Sequence, residues 1–175
     1  MEISNNLSAR GGDGAGGGYG GYVYLYYADG NGTGGVVLRG YGEIAGNGGD
    51  GVARGGYGGY VYLYSGQGQA EVRNEAGASV RGGGSVNAGG DGGYVEAYSS
   101  GPLAHPGAIA ADGGAASSAD AGTYAGSGGY VILEGSPPPS TYGSISVAPG
   151  TGGDPGAPAS MGSIFIDGGY ATPAE

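Results

Sequence analysis

The chain has 175 residues, and 49 of them are glycine. Fifteen acids against five arginines give a net charge of −10, which argues against nucleic acid and anionic membranes as partners, since both need a basic face. There is no cysteine, hence no disulfide framework or thiolate chemistry, and no apolar run reaches the ~20 residues of a membrane-spanning helix.

The opening "MEISNNLSAR" shows neither the basic n-region nor the apolar h-region of a signal peptide. A glycine tract follows, then the decamer "GGYGGYVYLY" ending at Tyr26, which recurs letter for letter ending at Tyr64. Alignment on this decamer exposes a repeat. Its copies are "GGYVYLYYADG" from Gly20, "GGYVYLYSGQG" from Gly58, "GGYVEAYSSGP" from Gly92 and "GGYVILEGSPP" from Gly128, with a degenerate "MGSIFIDGGYA" from Met161. The first strand residues Tyr22, Tyr60, Tyr94, Tyr130 and Ser163 are 38, 34, 36 and 33 residues apart, in the range of solenoids and stacked arrays.

A second element lies between these strands, as "NNLSARGGDG", "GEIAGNGGDG", "GASVRGGG", "GAIAADGG" and "GSISVAPGTGG". One unit therefore reads as short strand, glycine tract, long strand, turn and further strand. Approximate units are 1–41, 42–76, 77–106, 107–142 and 143–175, within a single repetitive domain. No stretch carries apolar residues at helical spacing, and glycine and β-branched residues disfavour helix. The expected fold is all-β, a glycine-rich β-solenoid or layered β-stack of about five units with essentially no helix.

Strand side chains alternate faces. One face of the long strands carries Val23/Leu25, Val61/Leu63, Val95/Ala97, Val131/Leu133 and Ile164/Ile166, which predicts a core column. The other carries Tyr22/Tyr24/Tyr26, Tyr60/Tyr62/Tyr64, Tyr94/Glu96/Tyr98, Tyr130/Ile132/Glu134 and Ser163/Phe165/Asp167. That face starts as pure tyrosine and becomes mixed and acidic. The glycine tracts are too long for hairpin loops of about 2–5 residues. They predict extended, polyproline-II-like segments whose backbones approach closely and hydrogen-bond laterally.

The pattern of "GG-x-GG-Y-V-x-L" followed by "G-x-I-x-x-x-GG" resembles the glycine-rich repeats of secreted bacterial β-solenoid and surface proteins. The glycine tracts alone resemble the polyglycine-II sandwich of phage tail adhesins. Neither resemblance supplies catalytic residues.

Aspartate recurs in "GGDG" at Asp13 and Asp50 and in "GGDGG" at Asp91. Glycine–aspartate repeats bind calcium in β-rolls of nine-residue period, but here the aspartates come once per unit. A turn carboxylate capping backbone N–H groups is the competing role. "DGNGTG" places Asp29, Asn31 and Thr33 as in the first half of a calcium loop, yet its twelfth position is Gly40 instead of glutamate. His105, the single histidine, sits in "LAHPG" and reads as a turn residue. No partnered acid–base pair or nucleophile marks an active site, so no enzymatic activity or cofactor is expected beyond the calcium alternative.

The tyrosine face, Tyr22, Tyr24, Tyr26, Tyr60, Tyr62, Tyr64, Tyr94, Tyr98 and Tyr130, is the leading functional surface. It suits burial in an assembly, stacking on a ligand, or plain exposed strand surface. The leading expectation is a structural subunit of an extracellular filament or surface assembly. Copies of the chain would associate through strand edges, termini and the tyrosine face. Either Pro149, Pro155, Pro158 and Pro173 would cap the last unit, or "MEISNNLSAR" would insert as a strand into the next subunit. The alternative is an adhesin-type module recognising glycan or a cell-surface receptor. Ice binding ranks third, because threonines are sparse.

Overall fold

The computed structural model describes residues 2–3, 5–28, 36–38, 43–66, 72–136, 138–139, 141–167 and 169–171. Asp29, Asn31, Thr33, Gly40 and Pro173 lie outside them. The chain is an all-β solenoid, and no helix occurs among the described residues.

Three sheets form the walls of the coil. The tyrosine sheet holds β4 (Tyr22–Ala28), β8 (Tyr60–Gly66), β11 (Tyr94–Ser99), β14 (Tyr130–Gly135) and β17 (Ser163–Ile166), all parallel and adjacent. Its register is Tyr22↔Tyr60↔Tyr94↔Tyr130↔Ser163, the alignment expected from the repeat. The second sheet holds β1 (Glu2–Ile3), β5 (Val36–Leu38), β9 (Val72–Asn74), β12 (Leu103–His105) and β15 (Thr141–Tyr142). The third holds β2 (Leu7–Ser8), β6 (Glu43–Ala45), β10 (Gly77–Ser79), β13 (Ile109–Ala110) and β16 (Ile145–Ser146). These last strands coincide with the short apolar runs of the second repeated element. Each sheet therefore has five parallel rungs, and each coil visits the third, tyrosine and second sheets in turn.

The core fills the space between the sheets. Val61, Leu63, Val95, Ala97, Val131 and Leu133 are fully buried beneath the tyrosine sheet. Ile44, Ala78 and Ile109 of the third sheet and Leu103 of the second meet them in one cluster. Burial of such a valine or leucine contributes about 1.5–3 kcal/mol. Val23, on the first rung, is only partly buried against this cluster because it has a neighbouring rung on one side alone, and Ile166 on the last rung is partly buried too.

Between the third and tyrosine sheets each coil makes a glycine-rich excursion. An outgoing tract (9–12, 46–49, 80–83, 111–114 and 147–150) leads to a tip, and a returning tract (17–21, 55–59, 89–93, 125–129 and 158–162) comes back beside it. At the tip, β3 (Gly14–Gly16) pairs with β7 (Gly51–Arg54), and single bridges such as Arg54↔Ala88 and Ala88↔Tyr124 continue the column.

The tracts bond in three directions. Within a coil, the Gly59 N–H donates to Gly46 O (2.6 Å) and the Gly93 N–H to Val80 O (2.7 Å). Along the axis, Gly20 donates to Tyr57 O and Gly58 to Asp91 O, both at 2.8 Å. Diagonally, Gly49 donates to Gly18 O (2.9 Å), and Gly83 to Gly56 O (2.8 Å). This is a polyglycine lattice two tracts thick, which satisfies the backbone without a β-ladder. Glycine is required by close approach: a Cβ on Gly58 would overlap the Val80 carbonyl in the facing tract and crowd Gly93 N in the next coil.

The ends differ. At the C-terminal side β18 (Gly169–Ala171) folds back antiparallel along β17, after a turn in which Asp167 adopts φ 49°. The cap on the tyrosine sheet is thus a hairpin strand; Pro149, Pro155 and Pro158 belong to the last glycine excursion. At the other end β1 and β2 pair with β5 and β6 of their own chain, as the first rung.

Candidate functional site

The outer face of the tyrosine sheet is built by strand alternation. With Val and Leu pointing inward, every second residue must point out. The in-register parallel pairing then stacks like on like. Tyr26 lies on Tyr64 with ring centroids 4.8 Å apart and planes within 4°, and Tyr94 lies on Tyr130 at 5.0 Å and 10°. Tyr24 reaches both Tyr60 (5.6 Å) and Tyr62 (5.8 Å), and Tyr62 reaches Tyr98 (5.8 Å). All nine expected tyrosines belong to this one array. Tyr22, Tyr24 and Tyr26 are 70, 59 and 63% exposed, whereas Tyr60, Tyr62, Tyr64 and Tyr98 are half-buried between neighbouring rungs.

The stacking decides what the face offers. Where rings lie parallel about 5 Å apart, each covers its neighbour's face. Ring edges and hydroxyls then point outward at those two stacks, whereas Tyr24–Tyr62 and Tyr62–Tyr98 between them are tilted by 53° and 50°, so the array is an aromatic bed with polar tips that is not flat-stacked throughout. Burial raises the pKa of Tyr60, Tyr62 and Tyr98. For both Tyr60 and Tyr98 the next cause is the neighbouring Glu96 carboxylate. These hydroxyls are therefore donors at neutral pH.

Toward the last rungs the face turns acidic. Glu134 and Asp167 share a hollow of about 480 Å³ with Tyr64, Tyr98, Ser99 and Ser136. Beside the array, the axial line Gly58–Gly92–Gly128 floors a trough of about 330 Å³, with Tyr57 and Asp91 on one wall and Tyr94 and Tyr130 on the other. Tyr57 itself stacks with Tyr19 at 5.2 Å, forming a second, shorter tyrosine column on the returning tract. That column is legible in the sequence as the "GGYGG" half of the decamer.

The aspartates go elsewhere. Asp13 Oδ1 accepts the Asp50 N–H (2.8 Å), and Asp50 Oδ1 accepts the Gly84 N–H (2.7 Å), so these two cap successive coils at the tip. Asp91 lies in a returning tract and accepts the Ser127 N–H at 2.7 Å. Asn47 and Asp112 do the same for the Arg81 and Ala148 N–H groups of the outgoing tracts. Each carboxylate or amide substitutes for a carbonyl in the lattice. Among the described residues no three His, Cys, Asp or Glu side chains gather as metal ligands.

His105 is the last residue of β12 and is fully buried, not a turn residue. Its ring stacks into the rung above Asn74. Nδ1 lies 3.0 Å from Gly107 O, an acceptor only, so Nδ1 carries the proton. Nε2 then accepts from the Asn74 amide at 2.6 Å. Burial lowers the His105 pKa, and the neutral ring is the folded form.

Comparison of the chain with protein-family models, curated proteins and solved structures finds no match.

Proposed function

We propose that the chain is a structural subunit that associates with copies of itself in an extracellular or cell-surface assembly. The association surface is the outer face of the tyrosine sheet. The observation that carries this reading is the exposure of Tyr22, Tyr24 and Tyr26 on a flat, in-register array continuing through Tyr60, Tyr62 and Tyr64. An aromatic surface of this extent is rarely left uncovered on a monomer. Strand edges contribute less at the C-terminal side, because β18 already lies along β17. The extracellular placement follows the resemblance to secreted glycine-rich solenoids.

Sedimentation velocity across a wide concentration range tests the proposal. Expected is a mass that rises with concentration and collapses to monomer on Tyr24→Asp, with the far-UV spectrum unchanged. A monomer at every concentration would refute it.

A second reading is an adhesin-type module for glycan or a receptor. The trough over Gly58, Gly92 and Gly128 favours it, since its polar walls at Asp91 and Ser127 are spaced once per coil. A glycan-array hit lost on Tyr57→Ala would move the assignment to this surface.

A further inference from the structure

The outer face of the tyrosine sheet is chemically graded from rung to rung. Rungs one and two present Tyr22, Tyr24, Tyr26, Tyr60, Tyr62 and Tyr64, which are hydroxyl donors without charge. Rungs three to five introduce Glu96, Glu134 and Asp167. No arginine of the described residues lies on this face: Arg10, Arg73 and Arg81 pair with Asp13, Glu75 and Asp112 elsewhere, and Arg54 of β7 at the tip donates to the Tyr124 hydroxyl. One end of the face thus has donors in excess, and the other has carboxylate acceptors without a cation. Within the chain the two kinds of group already adjoin, because Tyr60 and Glu96 of the next rung line one hollow.

Resting on the self-association read above, we infer that two copies pair face to face with their solenoid axes antiparallel, about a two-fold axis that runs along the strand direction through the third rung. This operation lays rung one on rung five and rung two on rung four. Tyr26 meets Asp167 of the second copy, Tyr64 meets Glu134, and the central column sets Tyr24 against Phe165 and Tyr62 against Ile132. Each copy supplies the same contacts to the other, as a closed two-fold interface requires. The two Glu96 side chains approach at the axis, each flanked by Tyr60 and Tyr94 of its own copy. The competing arrangement, with rungs matched one to one, lays the acidic half of one copy on the acidic half of the other, which is repulsive and leaves the tyrosine donors facing each other.

The two arrangements respond to loss of the carboxylates with opposite sign. The test is equilibrium sedimentation of the full chain at about 0.3 M salt, where long-range charge effects are screened. The wild type is compared with Glu134→Gln and with Glu134→Gln/Asp167→Asn. Asparagine tolerates the left-handed backbone at position 167, and Glu134→Gln alone serves if the double variant folds poorly. Expected is a dimer that weakens about tenfold or more in the double variant, because hydroxyl-to-carboxylate bonds are lost twice by symmetry. A dimer that tightens or is unchanged overturns the antiparallel pairing and leaves the face reading intact. A wild type that stays monomeric throughout overturns both.

Discussion

Alanine at Gly58 is the sharpest probe of the glycine lattice. The added methyl would overlap the Val80 carbonyl on the facing tract and crowd Gly93 N of the next coil, and both are backbone atoms fixed by the 2.7 Å bond between them. The substitution has a favourable side, since it stiffens the unfolded chain by about 0.4–1 kcal/mol. Overpacking of this kind costs about 1–3 kcal/mol or more. The larger value applies here, because no side-chain rotamer can absorb the clash. Net destabilisation of about 1–3 kcal/mol is expected, or roughly 2–12 °C in melting temperature for a chain of this size. Gly12→Ala is the matched control: a Cβ there meets nothing within 4 Å, so only the unfolded-state gain remains. Thermal and urea unfolding of the two variants side by side is the assay. If Gly58→Ala and Gly12→Ala agree within about 0.5 kcal/mol, the close-approach argument is wrong.

Leu63→Ala, in the core beneath the tyrosine sheet, should cost about 2–5 kcal/mol by urea titration, whereas Tyr24→Ser on the outer face should cost about 0.5–1.5. Acid should weaken the fold through His105. Its folded pKa is lowered by burial, so only well above pH 6.5 is the ring neutral in both states and without pH dependence. As pH falls below that value the unfolded chain takes up the proton first, and stability should drop by up to about 1.4 kcal/mol per pH unit. The double variant Asn74→Leu/His105→Leu should flatten the profile between pH 7.5 and 5.5, and an unchanged slope would place the acid sensitivity elsewhere. Asp50→Ala should cost about 0.5–1.5 kcal/mol through the lost Gly84 bond, with Asp50→Asn milder; a melting temperature that rises with calcium would reassign the tip aspartates as ligands.

The tyrosine sheet was legible residue by residue because two signals agreed. The period-two alternation fixes which side faces the core, and the repeated decamer fixes which residues share a column. A slip of one residue would put tyrosines inside, so register and burial are locked together. The second sheet carried no such signal. Its strands β9 and β12 are three residues long and polar at their ends, and the buried Asn74–His105 pair joins positions 31 residues apart with no periodic pattern. A histidine before proline looks like a turn until its neighbour in the stack is known. The aspartates were misleading in another way. "GGDG" looks the same at Asp50 and Asp91, yet one ends an outgoing tract and the other lies in a returning one. Distance to the next tyrosine strand was the usable signal, since Asp91 stands three residues before Tyr94 and Asp50 ten before Tyr60.

The join between glycine and tyrosine inverts the intuition that glycine means flexibility. Gly20 is tied along the axis to Tyr57, Gly21 is tied within its coil to Ala9, and the Tyr60 N–H donates back to Gly21 O. Each tyrosine strand therefore begins at a height already set by bonds in two directions, before its own side chains make any contact. The aromatic array inherits that order from below, and the aliphatic core holds the same strands from beneath. Tyrosine has few rotatable bonds, and rings wedged between neighbours on adjacent rungs have fewer states left to lose. Association through this face, as proposed, would then forfeit little conformational entropy, the usual opponent of a polar interface. In the proposed pairing, a modest number of hydroxyl-to-carboxylate bonds, individually weak in water, would then be enough to decide which way round two such faces lie.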